Sequence, residues 1–361
     1  MNIDKQRLVD TFMHIVQIDS TTGYEDDMAA YIVSTAQKLG YHPVIDRADN
    51  VIISSPGIGE PLLFTAHMDT VEPGRGIKPR ISNGVIKSDG TTILGADNKV
   101  AVAVLLELLA SHSDYTHTLR PLELVFTRSE ESGNVGATNL DISHLKSRTG
   151  YSFDSGEPLG TILIGSPFYD RFDITIIGKS AHASIPEEGH NALLAAQQLL
   201  QHIHVGHVDE YTIANVGVIQ GGSVRNTVPE EVQLQGEIRS FIESHINAVG
   251  KKLQRDARQV ASSTKTAIEV SIVRENPGYL LADNHPLIMR ALRVLKELHI
   301  HPLLKKTYAC FDANVFQQHG ITVLNMSDGS CDNHTTRESV QVQDLQTLAN
   351  IALSLSGPDR I

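Results

Sequence analysis

Cysteine is nearly missing from this 361-residue chain: two occur, Cys310 and Cys331. Neither belongs to a Cys-x-x-Cys pair, which argues against a thiolate metal site or a disulfide framework and leaves two ordinary thiols of a reducing compartment. Tryptophan is absent, and no internal repeat or low-complexity tract interrupts the chain. Positive charge is also in deficit, with 30 Lys and Arg against 42 Asp and Glu for a formal net charge of −12. Phosphate binding needs clustered cations, so nucleic acid is not an expected partner. No apolar run approaches the ~20 residues of a membrane span. Acids such as Asp4 and Asp10 stand where a signal peptide needs a basic flank and an apolar core. A cytoplasmic protein without a membrane partner is the expectation.

What the chain does have is the composition of a soluble globular protein, 41% hydrophobic and 20% charged. Three short apolar runs end in polar clusters. Leu62 to Ala66 delivers His67-Met68-Asp69, Thr91 to Ala96 delivers Asp97-Asn98-Lys99, and Leu122 to Thr127 delivers Arg128-Ser129-Glu130-Glu131. Tyr151-Ser152-Phe153 delivers Asp154 in the same way. Open α/β sheets bind ligands at the carboxyl ends of their strands, so these groups are expected to share one crevice.

Helical stripes over residues 4–18, 286–298 and 340–355, and the nearly all-apolar stretch from Lys99 to Ser111, alternate with these strands. The expected fold is therefore α/β, a mostly parallel sheet sandwiched by helices. Asn83-Gly84 within Ile77 to Ile86 marks a hairpin. From about Phe168 the pattern changes to strand, helix, strand, strand, helix, strand, the order of a ferredoxin-like α+β module. Linker residues near Pro167 and Pro277-Gly278 divide the chain into residues 1–167 with 278–361 and an inserted 168–277.

The polar clusters suit a divalent metal. Imidazole and carboxylate together favour Zn²⁺, Mn²⁺ or Co²⁺ over Mg²⁺ or Ca²⁺. His67 and Asp69 stand two apart, so an extended strand turns both to one face, where the carboxylate could fix the imidazole tautomer. Asp97 could bridge two metals, which in such pairs lie roughly 3.5–4 Å apart, or simply cap the helix that follows it. Glu130 and Glu131 would repel each other inside a cleft unless a cation or shared proton relieved them. One would then ligate while the other accepts a proton. Taken singly, a surface loop accounts for Glu130-Glu131 as well.

In joint order, His67-x-Asp69, Gly95-Ala96-Asp97-Asn98-Lys99, Ser129-Glu130-Glu131-Ser132-Gly133, Asp154 and His334 resemble the metal-site motifs of the metallo-exopeptidase family that contains peptidase T, carboxypeptidase G and aminoacylase. The stretches His67 to Gly74 and Ser88 to Lys99 are most similar to the peptidase T-like tripeptidases. The resemblance runs through essentially the whole chain, the inserted module included.

That resemblance implies a zinc exopeptidase-like fold whose inserted module is a lid and dimerisation domain, and hence a homodimer. It implies two Zn²⁺, with Co²⁺ or Mn²⁺ as substitutes: His67 and Asp154 on one, Glu131 and His334 on the other, Asp97 bridging. Glu130 would be the general base and Asp69 the orienter of His67, with a cis peptide after Asp97. Within the insertion, Gly178-Lys179-Ser180-Ala181-His182-Ala183-Ser184 resembles the motif whose His stabilises the transition state. Gly221 to Pro229 resembles its companion, with Asn226 touching substrate, and Arg239 stands where relatives bind a substrate carboxylate. Tyr308-Ala309-Cys310-Phe311 departs from the family's Gly-Gly before Asp-Ala, which bears on the pocket and not on the metals.

The implied function is release of the N-terminal residue from a tripeptide by a cytoplasmic dinuclear zinc exopeptidase. The alternatives are an acylamino-acid deacylase, dipeptidase or carboxypeptidase with the same metal centre. A binding protein that has lost catalysis should lack part of the ligand set or Glu130, and all are present here.

Overall fold

The computed structural model describes residues 3–112 and 117–358. Its chain contacts divide it into two units. The first comprises Met1–Ile164, Leu281–Lys306 and Phe311–Ile361; the second comprises Gly165–Leu280 and Thr307–Cys310. The second unit thus runs slightly past 168–277 at both ends and takes in the Tyr308–Cys310 segment.

In the first unit four strands lie parallel at the centre of the sheet, in the order Leu122–Thr127, Leu62–His67, Thr149–Phe153, Thr322–Met326. Both Leu62–His67 and Leu122–Thr127 are buried at every position, as expected of strands covered on both faces. Antiparallel strands complete the sheet. Val51–Ser55 pairs with Leu122–Thr127, and Thr161–Ser166 pairs with Thr322–Met326. The strand Thr161–Ser166 is additional to those read from the sequence.

Helices Lys5–Ile15, Asp26–Lys38, Ala96–His112, Pro286–Glu297, Asp312–Gln318 and Val342–Leu355 belong to this unit. Asp4 caps the first by accepting from the N–H groups of Gln6 and Arg7. In Ala96–His112 the backbone at Asp97 and Asn98 is not yet helical, so Asp97 stands at the entrance of the regular helix. From Asn98 to Leu109 that helix is buried around its whole circumference. The hairpin of Arg80–Ser82 and Val85–Lys87 turns at Asn83 and Gly84, with φ of 51° and 77°, the left-handed pair that a two-residue turn requires.

The second unit is an antiparallel sheet of Gly206–His207, Thr212–Gly221, Glu231–Ser240, Phe168–Ile177 and Ala267–Asn276, in that order. Helices Ala192–His202 and Glu243–Thr264 fall between strands as the ferredoxin-like order requires. Its own apolar core includes Phe172, Ile174, Leu199, Leu234, Ile246 and Leu253. Among the described residues no helix is long and apolar enough to cross a membrane.

Candidate metal centre

Each central parallel strand of the first unit ends at a polar group. His67 is the last residue of its strand, Glu130 and Glu131 follow Leu122–Thr127, Asp154 follows Thr149–Phe153, and His334 lies in the loop after Thr322–Met326. Asp97 enters from the foot of the buried helix.

His67 is only 2% exposed. Its Nδ1 lies 3.0 Å from the main-chain oxygen of Asp69 and 3.3 Å from Asp69 Oδ1. A carbonyl oxygen can only accept, so Nδ1 carries a proton and Nε2 is the nitrogen turned toward the cleft. That Nε2 lies 3.1 Å from Asp97 Oδ1 and 3.8 Å from Asp154 Oδ1. On the other side, His334 Nε2 lies 3.3 Å from Asp97 Oδ2 and 2.8 Å from Glu131 Oε1. Donor atoms from His67, Asp97 and Glu131 all fall within 4.8 Å of one another.

Main-chain geometry holds these groups in place. The Asp69 carboxylate accepts the N–H of Glu130 at 3.0 Å and of Glu131 at 3.2 Å, and a hydroxyl from Thr22 at 2.8 Å. Glu25, fully buried, accepts from the N–H and hydroxyl of Ser129 and from Arg128. Glu338 receives the N–H groups of Leu94, Gly95 and Asp97 at 2.8, 2.6 and 3.1 Å, fixing the turn that leads into Asp97. The Asp97-Asn98 peptide is cis, and Asn98 Nδ2 donates to Phe153 O at 2.8 Å.

Electrostatics follow from crowding acids in a buried place. Burial pushes Glu130 well above the usual carboxylate range despite nearby His67, with Asp154, Asp312 and Glu131 adding to the rise. Burial likewise raises Asp154 and lifts Asp312 to about 6. Burial opposes ionisation of Asp97 too, but His334 and His67 outweigh it and hold that carboxyl low. Hydrogen bonds to Asp97 and Glu131 bring His334 up to about 10. For His67, burial works against protonation, yet Asp154, Asp69 and Asp97 raise it well above 6.5. Such a set has excess negative charge that a bound cation would neutralise.

The second unit brings together the residues singled out there. His182 pairs with Thr227, and Ala183 N–H donates to Asn226 O at 3.0 Å. Both His182 and Asn226 are exposed. The Ser184 N–H donates to His182 Nδ1 at 3.2 Å, so the neutral ring carries its proton on Nε2. Arg239 is engaged internally. It donates to Glu237 and to Tyr308 O, the latter at 2.7 Å, and its guanidinium stacks on Tyr169.

Four residues to which the sequence assigned no role also shape the centre: Asn134, Asp312, Glu338 and Asn333. Asn333 Nδ2 donates to Asp97 Oδ2 at 3.1 Å. Its place beside His334 was the only hint in the sequence.

Known proteins agree with this architecture. Residues 50–164 match Peptidase family M28, and residues 169–265 match the peptidase dimerisation domain. The chain is 31% identical over 366 residues to the Bacillus subtilis protein YqjE, covering 98% of both. The crystal structure of aminopeptidase PepT from Bacillus cereus is 33% identical, with a TM-score of 0.95 over 98% of each chain. That of a tripeptidase from Staphylococcus aureus is also 33% identical, with a TM-score of 0.93 over 98% of each chain. With this likeness along nearly its whole length and with His67, Asp97 and Glu131 gathered where they could hold a metal ion, the chain belongs to the peptidase T-like family of metallo-exopeptidases, hydrolases that act on peptide bonds.

Proposed function

We propose that the chain is a dinuclear zinc aminotripeptidase, releasing the N-terminal residue of a tripeptide. The observation that carries this is the position of Asp97, whose two oxygens face the Nε2 atoms of two different imidazoles. The donor set of imidazoles and carboxylates fits Zn²⁺, and Co²⁺ or Mn²⁺ as substitutes. His67 and Asp154 would hold one ion, Glu131 and His334 the other, with Asp97 between them. Bound there, the ions supply Lewis acidity toward a carbonyl and lower the pKa of water.

Glu130 acts as general base. Its carboxylate accepts a proton from the water that adds to the scissile carbonyl carbon. As the C–N bond breaks, Glu130 returns that proton to the departing amine, leaving a free amine and a carboxylic acid, which then ionises to solvent. Asp69 keeps Glu130 and Glu131 in register through their N–H groups and orients His67. From the inserted lid and dimerisation domain, His182 donates through Nε2 to the oxyanion, and Asn226 touches the substrate. Arg239 would receive a substrate carboxylate by exchanging its bonds to Glu237 and Tyr308 for a bidentate pair.

The match of residues 169–265 to a dimerisation domain supports a homodimer. Both cysteines are free, which suits the reducing cytoplasm, where we place the enzyme. Matched substrates test the specificity: a tripeptide, its dipeptide and the N-acetylated tripeptide. Rapid cleavage of the free tripeptide alone, abolished by chelator and restored by Zn²⁺, is the expected result. Cleavage only of the acetylated peptide would overturn the aminopeptidase reading in favour of a deacylase or carboxypeptidase. If His182 serves the partner's centre, mixing His182→Ala and Glu130→Ala subunits restores activity in the mixed dimer.

A further inference from the structure

The carboxylate of Glu130 is held by a side chain outside the proposed ligand set. Asn134 Nδ2 donates one hydrogen to Glu130 Oε1 and the other to Asp312 Oδ1, each at 3.0 Å. Asn134 and Asp312 are each only 4% exposed. Asp312 Oδ2 accepts in turn from Thr127 Oγ1, and Thr127 ends the strand from which Glu130 emerges.

The backbone delivers this amide to Glu130. Asn134 N–H donates to Glu130 O at 2.8 Å, and Asn134 itself is left-handed, with φ of 57°. Few residues other than Gly and Asn adopt that conformation easily, and of these two only Asn carries an amide. With both Nδ2 hydrogens committed to different carboxylates, the amide plane is fixed and Glu130 Oε1 is fixed with it. Glu130 Oε2 accepts no hydrogen bond among the described residues, so it is the oxygen left for proton transfer.

We propose that Asn134, anchored by Asp312 and Thr127, is a positioning residue that selects which oxygen of Glu130 takes the proton. The inference rests on reading Glu130 as the base. It makes no contact with metal or substrate necessary, and it predicts an effect on turnover separate from metal affinity.

The test is a double-mutant cycle on the metal-loaded enzyme with Asn134→Gly, Glu130→Ala and the pair. Glycine accepts the left-handed backbone while removing the amide. Asn134→Gly should keep the metal content and leave KM within about twofold, while kcat falls by about 10- to 100-fold. In the Glu130→Ala background the same change should cost nothing further, because its effect passes through Glu130. An unchanged kcat, or the same fold-loss in both backgrounds, would overturn the proposal. Asn134→Asp, which keeps the side-chain size but has no side-chain N–H, should reproduce the kcat loss if the glycine variant does not fold.

Asp312→Ala should mimic Asn134→Gly, and Asp312→Asn, which still offers an oxygen acceptor, should recover most of the activity. Equal loss in both Asp312 variants would remove its anchoring role. A Glu130→Ala enzyme with full activity would remove the base reading itself, and this proposal with it.

Discussion

His67 and His334 face opposite oxygens of one carboxylate, their Nε2 atoms 3.1 Å from Asp97 Oδ1 and 3.3 Å from Asp97 Oδ2. One imidazole is buried at a strand end; the other, 48% exposed, reaches in from a loop. The two sides of the centre therefore differ in how firmly the protein holds them, and their responses to substitution should differ.

His334→Ala removes an exposed donor that contacts Asp97 and Glu131. It should lower the metal content by one equivalent while leaving the fold intact, as read by elemental analysis and circular dichroism. An unchanged metal content would rule His334 out as a ligand.

Glu130→Ala should retain both metals and lower kcat by about 10²- to 10⁴-fold, the range for loss of a general acid–base group. Steady-state kinetics on metal-verified protein decides this. Activity within a few fold of the parent enzyme would exclude Glu130 as the base.

Stripping the metals with a chelator should lower the melting temperature, since a ligand bound only by the folded state stabilises it. The loss should grow with pH. Burial raises Glu130 and Asp154 in the metal-free centre above their ordinary values, so the folded apo form holds protons that the unfolded chain releases. Its stability falls as pH rises from about 4, through the raised values. Melting curves of apo and holo protein between about pH 5 and pH 8 test this, and a constant gap would contradict it.

Away from the metals, His112 is fully buried. Burial lowers its pKa below 6.5, against the smaller effect of its bond to Arg120 O. Because the folded value is depressed, its contribution is complete above pH 6.5 and is lost as pH falls toward the folded value. His112→Gln, which does not titrate, should therefore show a shallower loss of stability on acidification. Parallel melting profiles for the two proteins would argue against this role.

Much of the centre is legible because its residues sit where local pattern is strong. His67, Glu130, Glu131 and Asp154 each terminate or follow a short apolar run, and strand ends are where an α/β sheet gathers ligands. The inserted module is legible for a similar reason, since the alternation of its strands and the stripes of its helices are local properties. The links from Asn134 to Asp312 and from Glu338 to Asp97 are not, because they join residues 178 and 241 positions apart. No spacing rule reaches that far. Arg239 is an intermediate case. Glu237 stands two residues before it on the same strand, so both side chains share a face, and their pairing could have been anticipated.

The helix that starts at Asp97 has consequences for how this enzyme can change. A helix with a solvent face can slide or tilt toward water when a neighbour is altered. This one is enclosed over residues 98–109, so displacement is resisted from every side and any misfit is passed along its axis. The position of Asp97 is thus set from the interior. Substitutions at Val104 or Leu108, well inside the core, should therefore be felt at the cleft through Asp97.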